Sequence, residues 1–251
     1  MRSNKYWFVI FVFFIANIQA ANHSFPDVVK QVSQSIVAVA IDAPIKHANP
    51  KVLGTGFIIH NGQYAITNYH VVSQVLDPSI VEHYVVLSGS GQIVKKVKAE
   101  IHSIDIKHDL ALLKLDATLP AMKLSEPEMM LPGTEVAFTG FPIGAVLGLY
   151  PATHRGYISA ITPDAIPANN ANELSSLLMK RLSDASLIYQ LDAVAYPGNS
   201  GSPLYSPVTG EVIGVINKVL VKDAKESALS SPSGISYAIP VEYVHELLKK
   251  I

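Results

Sequence analysis

Pro197-Gly198-Asn199-Ser200-Gly201-Ser202-Pro203 holds one serine between two glycines, with a proline at either end. An apolar, strand-like run precedes it and another follows. A turn this sharp lifts a hydroxyl into solvent and aims several backbone N–H groups at one point. An acyl-transfer nucleophile and its oxyanion hole need that arrangement. Two earlier segments offer the missing partners: Thr67-Asn68-Tyr69-His70-Val71-Val72 and His108-Asp109-Leu110-Ala111-Leu112-Leu113.

Taken singly, each candidate has an ordinary explanation. His70 follows the apolar strand Tyr64-Ala65-Ile66 and reads as a core histidine; Asp109 reads as a turn residue ahead of a strand, and Ser200 as a loop serine. Their conjunction is much harder to obtain by accident. Each stands at a strand end, and they occur in the order His, Asp, Ser. That is the chain order of the chymotrypsin class; subtilisins and α/β-hydrolases use other orders.

The composition narrows the classes further. The chain has 251 residues, a formal net charge of −1 and no cysteine. It has no basic stripe or Arg/Lys run, so a nucleic-acid partner is not expected. Without cysteine there is no thiol nucleophile and no thiolate metal site, and an exported protein must rely on its core instead of on disulfides. Residues 1–20 read as a secretory signal peptide: Arg2 and Lys5 form a basic start, Tyr6 to Ile18 is almost wholly apolar, and Gln19-Ala20-Ala21 supplies small residues for cleavage. The apolar run is short for a membrane span, so a membrane is met only if the leader stays uncleaved. The Gram-negative periplasm, or secretion, is the expected location. Residues 21–251 suit one large domain or two small barrels sharing an interface.

Along that stretch, strand signals recur at short intervals. They cover 36–41, 54–60, 63–67, 84–88, 94–104 and 110–115 and, after the proline-containing linker 117–132, 135–139, 153–161, 186–191, 212–221 and 236–240. Asn61-Gly62 marks a hairpin turn. Many short strands with turn signals indicate an all-β barrel or sandwich. Phe25-Pro26-Asp27 reads as the cap and first turn of a short helix running into the first strand. Val244, Leu247, Leu248 and Ile251 give the segment 241–251 one apolar face, a C-terminal helix. Residues 162–185 depart from the pattern. Leu174, Leu177, Leu178 and Leu182 fall at helical spacing, which fits either a helix packed on the barrel or a lid beside the site.

With these residues in view, the chain resembles trypsin-fold serine proteases of the HtrA/Deg type. Gly54-Thr55-Gly56-Phe57 is similar to that family's GSGF segment, Thr67 to Val71 to TNxHV, and His108-Asp109-Leu110-Ala111 to its aspartate segment. Leu191-Asp192-Ala193 through Gly201 resembles TDAxINPGNSG, and Ser236-Tyr237-Ala238-Ile239-Pro240 its GFAIP close. The resemblance covers nearly all of residues 25–251. It implies a chymotrypsin/trypsin-like double β-barrel, with a first barrel over about 36–120 and a second over about 133–240. His70 and Asp109 would come from the first and Ser200 from the second.

The resemblance also implies roles. Ser200 is the nucleophile, His70 the base and Asp109 its orienter. Backbone N–H groups of Gly198, Asn199 and Ser200 form the oxyanion hole. The pocket for the residue before the scissile bond is lined by Ala193, Tyr196, Val215, Ile216 and Asn217. Substrates would be peptides or unfolded proteins, no cofactor or metal is needed, and a homotrimer joined through N-terminal residues is the implied assembly. Two departures stand out. Ser202 occupies a glycine position of the HtrA pattern, a GNSGS variant similar to secreted glutamyl endopeptidases, and no PDZ domain is expected to follow. Small or medium apolar side chains are expected in the pocket, while Thr153-His154, through the glutamyl endopeptidase likeness, points to an acidic preference. The remaining alternative is a latent or non-catalytic trypsin fold that captures peptides, with switching at 140–148 and after Thr162.

Overall fold

The computed structural model describes residues 24–77, 79–91, 93–142, 148–164, 185–217 and 234–251. The expected signal peptide, most of the leucine-rich segment 162–185, the centre of the 140–148 loop and the end of the strand expected over 212–221 lie outside these residues.

Among the described residues, twelve strands form two closed barrels of six. The first barrel comprises β1 (Ile36–Asp42), β2 (Lys51–Ile59), β3 (Tyr64–Asn68), β4 (His83–Ser90), β5 (Ile93–Asp105) and β6 (Leu110–Leu115). The second comprises β7 (Glu135–Gly140), β8 (Ala152–Pro163), β9 (Leu187–Asp192), β10 (Pro203–Tyr205), β11 (Val212–Asn217) and β12 (Ile235–Pro240). All neighbouring strands pair antiparallel. Closure leaves no edge strand exposed in either barrel.

Strand alternation divides the apolar residues among three cores. Val37, Val39, Ile58, Ala65, Val86, Ala111 and Leu113 fill the first barrel. Val136, Phe138, Ile158, Leu191, Leu204, Ile216 and Ala238 fill the second. Their neighbours on the same strands, among them Ile36, Ala38, Phe57, Ile66, Leu112, Ala137, Tyr205, Val215 and Ile239, form a shared core between the barrels. A strand such as β1 is therefore buried at every residue, and its sequence reads as one continuous apolar run.

Two helices among the described residues close this shared core. Helix α1 (Phe25–Val32) buries Val28 and Val32 there, and the C-terminal helix (Val241–Leu248) adds Val241, Val244 and Leu247. The cap of α1 is Ser24, one residue ahead of the expected Phe25-Pro26-Asp27 start. The Asp27 carboxylate accepts its backbone N–H at 3.2 Å and its hydroxyl at 2.6 Å. The helix ends at Val32, and a 3-10 turn over Ser33–Ser35 leads into β1. Strand β10, directly after the serine turn, falls outside the recurring strand signals read from the sequence. It is three residues long and opens on Pro203, a residue tolerated at a strand's first position because its missing N–H need not join the ladder.

Candidate active site

The first barrel sets His70 and Asp109 against each other. Strand β3 ends at Asn68 and gives way to a 3-10 turn, Tyr69–Val71, which turns the chain out of the barrel. Asp109 stands in the tight connection before β6 with φ at 52°, a left-handed conformation that aspartate tolerates better than most residues. Its carbonyl accepts the Tyr69 N–H at 3.0 Å and the Asn68 side-chain amide at 3.1 Å. Its carboxylate is spent on His70: Oδ1 accepts the His70 backbone N–H at 2.8 Å, and Oδ2 lies 2.6 Å from ring Nδ1. One carboxylate thus holds both ends of the histidine and leaves Nε2 facing away from it.

The second barrel supplies the serine turn, and β2 clamps it. The Thr55 N–H donates to the Ser200 carbonyl at 2.9 Å, and the Thr55 hydroxyl to the Gly198 carbonyl at 2.7 Å. The same hydroxyl accepts the Phe141 N–H at 3.0 Å. Gly54 is tight against both sides of the cleft: a Cβ there would meet the Val71 side chain at 2.9 Å and the Ser200 carbonyl at 3.0 Å. Ser200 therefore packs across one glycine from the residue that follows His70. Thr55 was not singled out from the sequence, although it sits in the quoted Gly54-Thr55-Gly56-Phe57 segment.

Gly198 and Gly201 have φ of 100° and 85°, values a side chain rarely adopts. A Cβ on Gly201 would land on the Thr55 carbonyl oxygen. Between them, the Asn199 N–H is committed to the Tyr196 carbonyl at 3.0 Å, and the Asn199 side chain is fully buried. That removes Asn199 from the expected oxyanion donors. Among the described residues, nothing takes the N–H of Gly198 or of Ser200.

The expected pocket residues separate. Val215 and Ile216 are fully buried, the first in the shared core and the second in the second-barrel core. Strand alternation assigns their side chains to packing, so they do not form an open wall. Asn217, at the end of β11, lines a cleft of about 280 Å³ together with His70, Asp109 and Ile106. Ala193 and Tyr196 lie in the segment leading to the serine turn. Ser236 holds that segment by accepting the Ala195 N–H and donating to the Ala193 carbonyl, both at 2.7 Å. His154 stacks on Phe138 with ring centroids 4.7 Å apart, and burial pushes its proton affinity down.

His108 adjoins the pair from outside. Its Nδ1 lies 2.6 Å from Asp105 Oδ2, and its ring stacks on Tyr243 at 3.8 Å. Burial disfavours ionisation of Asp105, but the His108 ring and backbone hydrogen bonds outweigh it and hold the carboxyl below its ordinary value. His108 thereby anchors the Asp109 connection to the C-terminal helix.

The family model described as a trypsin-like peptidase domain matches residues 54–215, from the Thr55 clamp to β11. A probable periplasmic serine endoprotease DegP-like of Halomonas elongata is 31% identical over 200 residues, covering 79% of this chain and 35% of the relative. The protein of the same description from Chlamydia trachomatis is 32% identical over 190 residues, covering 75% and 31%. The chain thus spans about a third of the length of these curated relatives. Among solved structures, a protease of M. tuberculosis in its active form superposes with a TM-score of 0.64 at 24% identity, covering 89% of this chain and 83% of that one. A serine endoprotease of Yersinia pestis superposes at 0.61 and 24% identity, covering 91% and 66%. At that identity the likeness speaks for the double-barrel fold.

Proposed function

The chain belongs to the trypsin-like peptidase family, and on that premise we propose that it is a serine endopeptidase of the HtrA/Deg type working through His70, Asp109 and Ser200. One observation carries the reading. Both carboxylate oxygens of Asp109 are spent on His70, beside a glycine-flanked serine whose turn is clamped to the same strand cluster.

In the reaction, Ser200 Oγ attacks the peptide carbonyl and His70 Nε2 takes its proton. Asp109 fixes the tautomer with Nδ1 protonated and stabilises the imidazolium that forms. The tetrahedral oxyanion is held by the N–H groups of Gly198 and Ser200. Each such donor is worth about 3 kcal/mol in the transition state. Collapse breaks the C–N bond, His70 gives its proton to the leaving amine, and an acyl-serine remains. Water, deprotonated by His70, attacks the acyl carbon and regenerates the serine.

A periplasmic or secreted location fits the apolar leader and the printed description of the DegP-like relatives. Peptides and unfolded proteins are the substrates this reading assigns. The test is incubation of the protein and its Ser200→Ala variant with unfolded casein and a fluorophosphonate probe. Cleavage and labelling that both require Ser200 are expected. Equal cleavage by the two proteins sinks the assignment. Labelling of neither favours a peptide-capturing, non-catalytic fold.

A further inference from the structure

Two aspartates four residues apart treat two histidines alike. Asp109 accepts the His70 backbone N–H at Oδ1 and faces ring Nδ1 with Oδ2. Asp105 does the same for His108: Oδ1 accepts the backbone N–H at 3.2 Å, and Oδ2 lies 2.6 Å from ring Nδ1. The first histidine is the proposed base. The proposed reaction gives the second no task, although both histidines line the same cleft of about 280 Å³.

The turn that carries this second pair is short. Asp105 pairs with Leu110 across β5 and β6, so residues 106–109 alone connect the two strands. Ile106 and Lys107 are exposed, whereas the His108 side chain is only 16% exposed. Asp109 closes the turn at φ 52°, a left-handed conformation that a residue other than glycine keeps only where its surroundings impose it. Beyond Asp109 the surroundings are firm, since its carbonyl accepts bonds from Tyr69 and Asn68. Ahead of it, the bond from the Asp109 N–H to the Ile106 carbonyl is long, at 3.4 Å. The Asp105 carboxylate on His108 is the tighter hold on that side. The C-terminal helix backs it. Tyr243 stacks on the His108 ring with centroids 3.8 Å apart and planes 12° from parallel. Lys250, just past the helix, donates to the Ile104 carbonyl at 3.3 Å.

Resting on the serine-protease reading above, we propose that His108 is a positioning residue for the triad. Pinned between Asp105 and Tyr243, it fixes the peptide that enters Asp109 and thereby the direction in which the Asp109 carboxylate meets His70. It takes no proton in the reaction and acts through Asp109. The same brace ties the geometry of the triad to the seating of the last helix. A misplacement of about 1 Å at a catalytic group can cost about a hundredfold in rate.

The test reads how fast a fluorophosphonate labels Ser200, as a maximal rate and a half-saturating concentration. His108→Phe keeps a flat ring for Tyr243 and loses the bond to Asp105. Its maximal rate should fall about tenfold or more, with half-saturation little changed. His108→Asn restores a side-chain N–H near the place of Nδ1 and should recover most of the rate. Asp105→Ala removes the same bond from the other side, so its loss should not add to that of His108→Phe. His245→Leu loosens the same helix elsewhere, at the bond from His245 Nε2 to the Ser125 carbonyl. It should lower the unfolding temperature and leave labelling as it is. A folded His108→Phe that labels like the wild type overturns the proposal. Losses that add overturn it too, as does a rate in His245→Leu that falls as far as in His108→Phe, because the histidine would then only help to seat the helix. Should His108→Phe fail to fold, judged by circular dichroism, Asp105→Ala decides by the same criterion. Labelling that ignores His108 removes only this role, whereas a wild type that is never labelled removes the serine-protease reading and this role with it.

Discussion

His70 and Asp109 are joined twice: ring Nδ1 lies 2.6 Å from Oδ2, and the backbone N–H donates to Oδ1 at 2.8 Å. The carboxylate therefore fixes the position of the histidine backbone as well as the direction of its ring. Asp109→Asn keeps the shape but offers an amide N–H to one of these groups, which favours the tautomer with Nε2 protonated. Turnover should fall by about four orders of magnitude, as in other triads forced into the wrong tautomer. The measurement is peptide hydrolysis alongside thermal unfolding. A loss of less than tenfold in a folded variant would speak against the orienting role.

The Thr55 hydroxyl bonds the Gly198 carbonyl and the Phe141 N–H at once, tying the serine turn to the start of the 140s loop. Thr55→Val preserves the volume and strands both partners. Leaving buried polar groups unpaired costs about 1–3 kcal/mol. Because Gly198 carries a proposed oxyanion donor, kcat should fall more than KM rises. Denaturant titration and steady-state kinetics read the two effects separately. A variant as active as wild type would detach the clamp from catalysis.

Gly201 and Gly133 share a left-handed backbone, at φ of 85° and 90°, and differ in their surroundings. A Cβ on Gly201 collides with the Thr55 carbonyl and Thr67 Oγ1, whereas nothing lies within 4 Å of one on Gly133. Gly133→Ala should cost about 1–2 kcal/mol from backbone strain alone. Gly201→Ala adds an unrelievable clash and should cost about 3 kcal/mol or more, with loss of Ser200 labelling. Equal destabilisation of the two in urea titrations would contradict the packing described here.

Much of this site could be read along the chain because its parts fall at strand ends, where turn chemistry is visible. Ser200 is marked by its flanking glycines, and His70 and Asp109 by the apolar runs they border. What could not be read depends on which face of a strand a residue occupies. In strands buried on both faces, such as β1 and β11, no polar residue breaks the run before its last position, so Val215 and Ile216 read as pocket walls. The bond that commits the Asn199 N–H to the Tyr196 carbonyl has no signature in the sequence. Thr55 acts through partners far along the chain, as with the 2.7 Å bond to Gly198, and leaves no local trace; His154 is named from the sequence, but the burial of its ring nitrogen is not legible there. Strand β10 is simply too short to show a period.

Burial of His154 also has a consequence for stability. Its proton affinity is pushed down by desolvation, from an ordinary value of 6.5. The unfolded chain therefore binds a proton at a pH where the folded protein still resists it. Stability rises with pH wherever the unfolded state holds more protons. The contribution of His154 is thus fully present above the ordinary imidazole value and lost progressively as pH falls below it. Urea unfolding at a series of pH values between about 7.5 and 5 should show the wild type weakening toward acid. His154→Leu has no proton to gain, so its stability should fall less steeply over the same range. Parallel slopes for the two proteins would mean that the imidazole is protonated as readily in the folded state as in the unfolded chain.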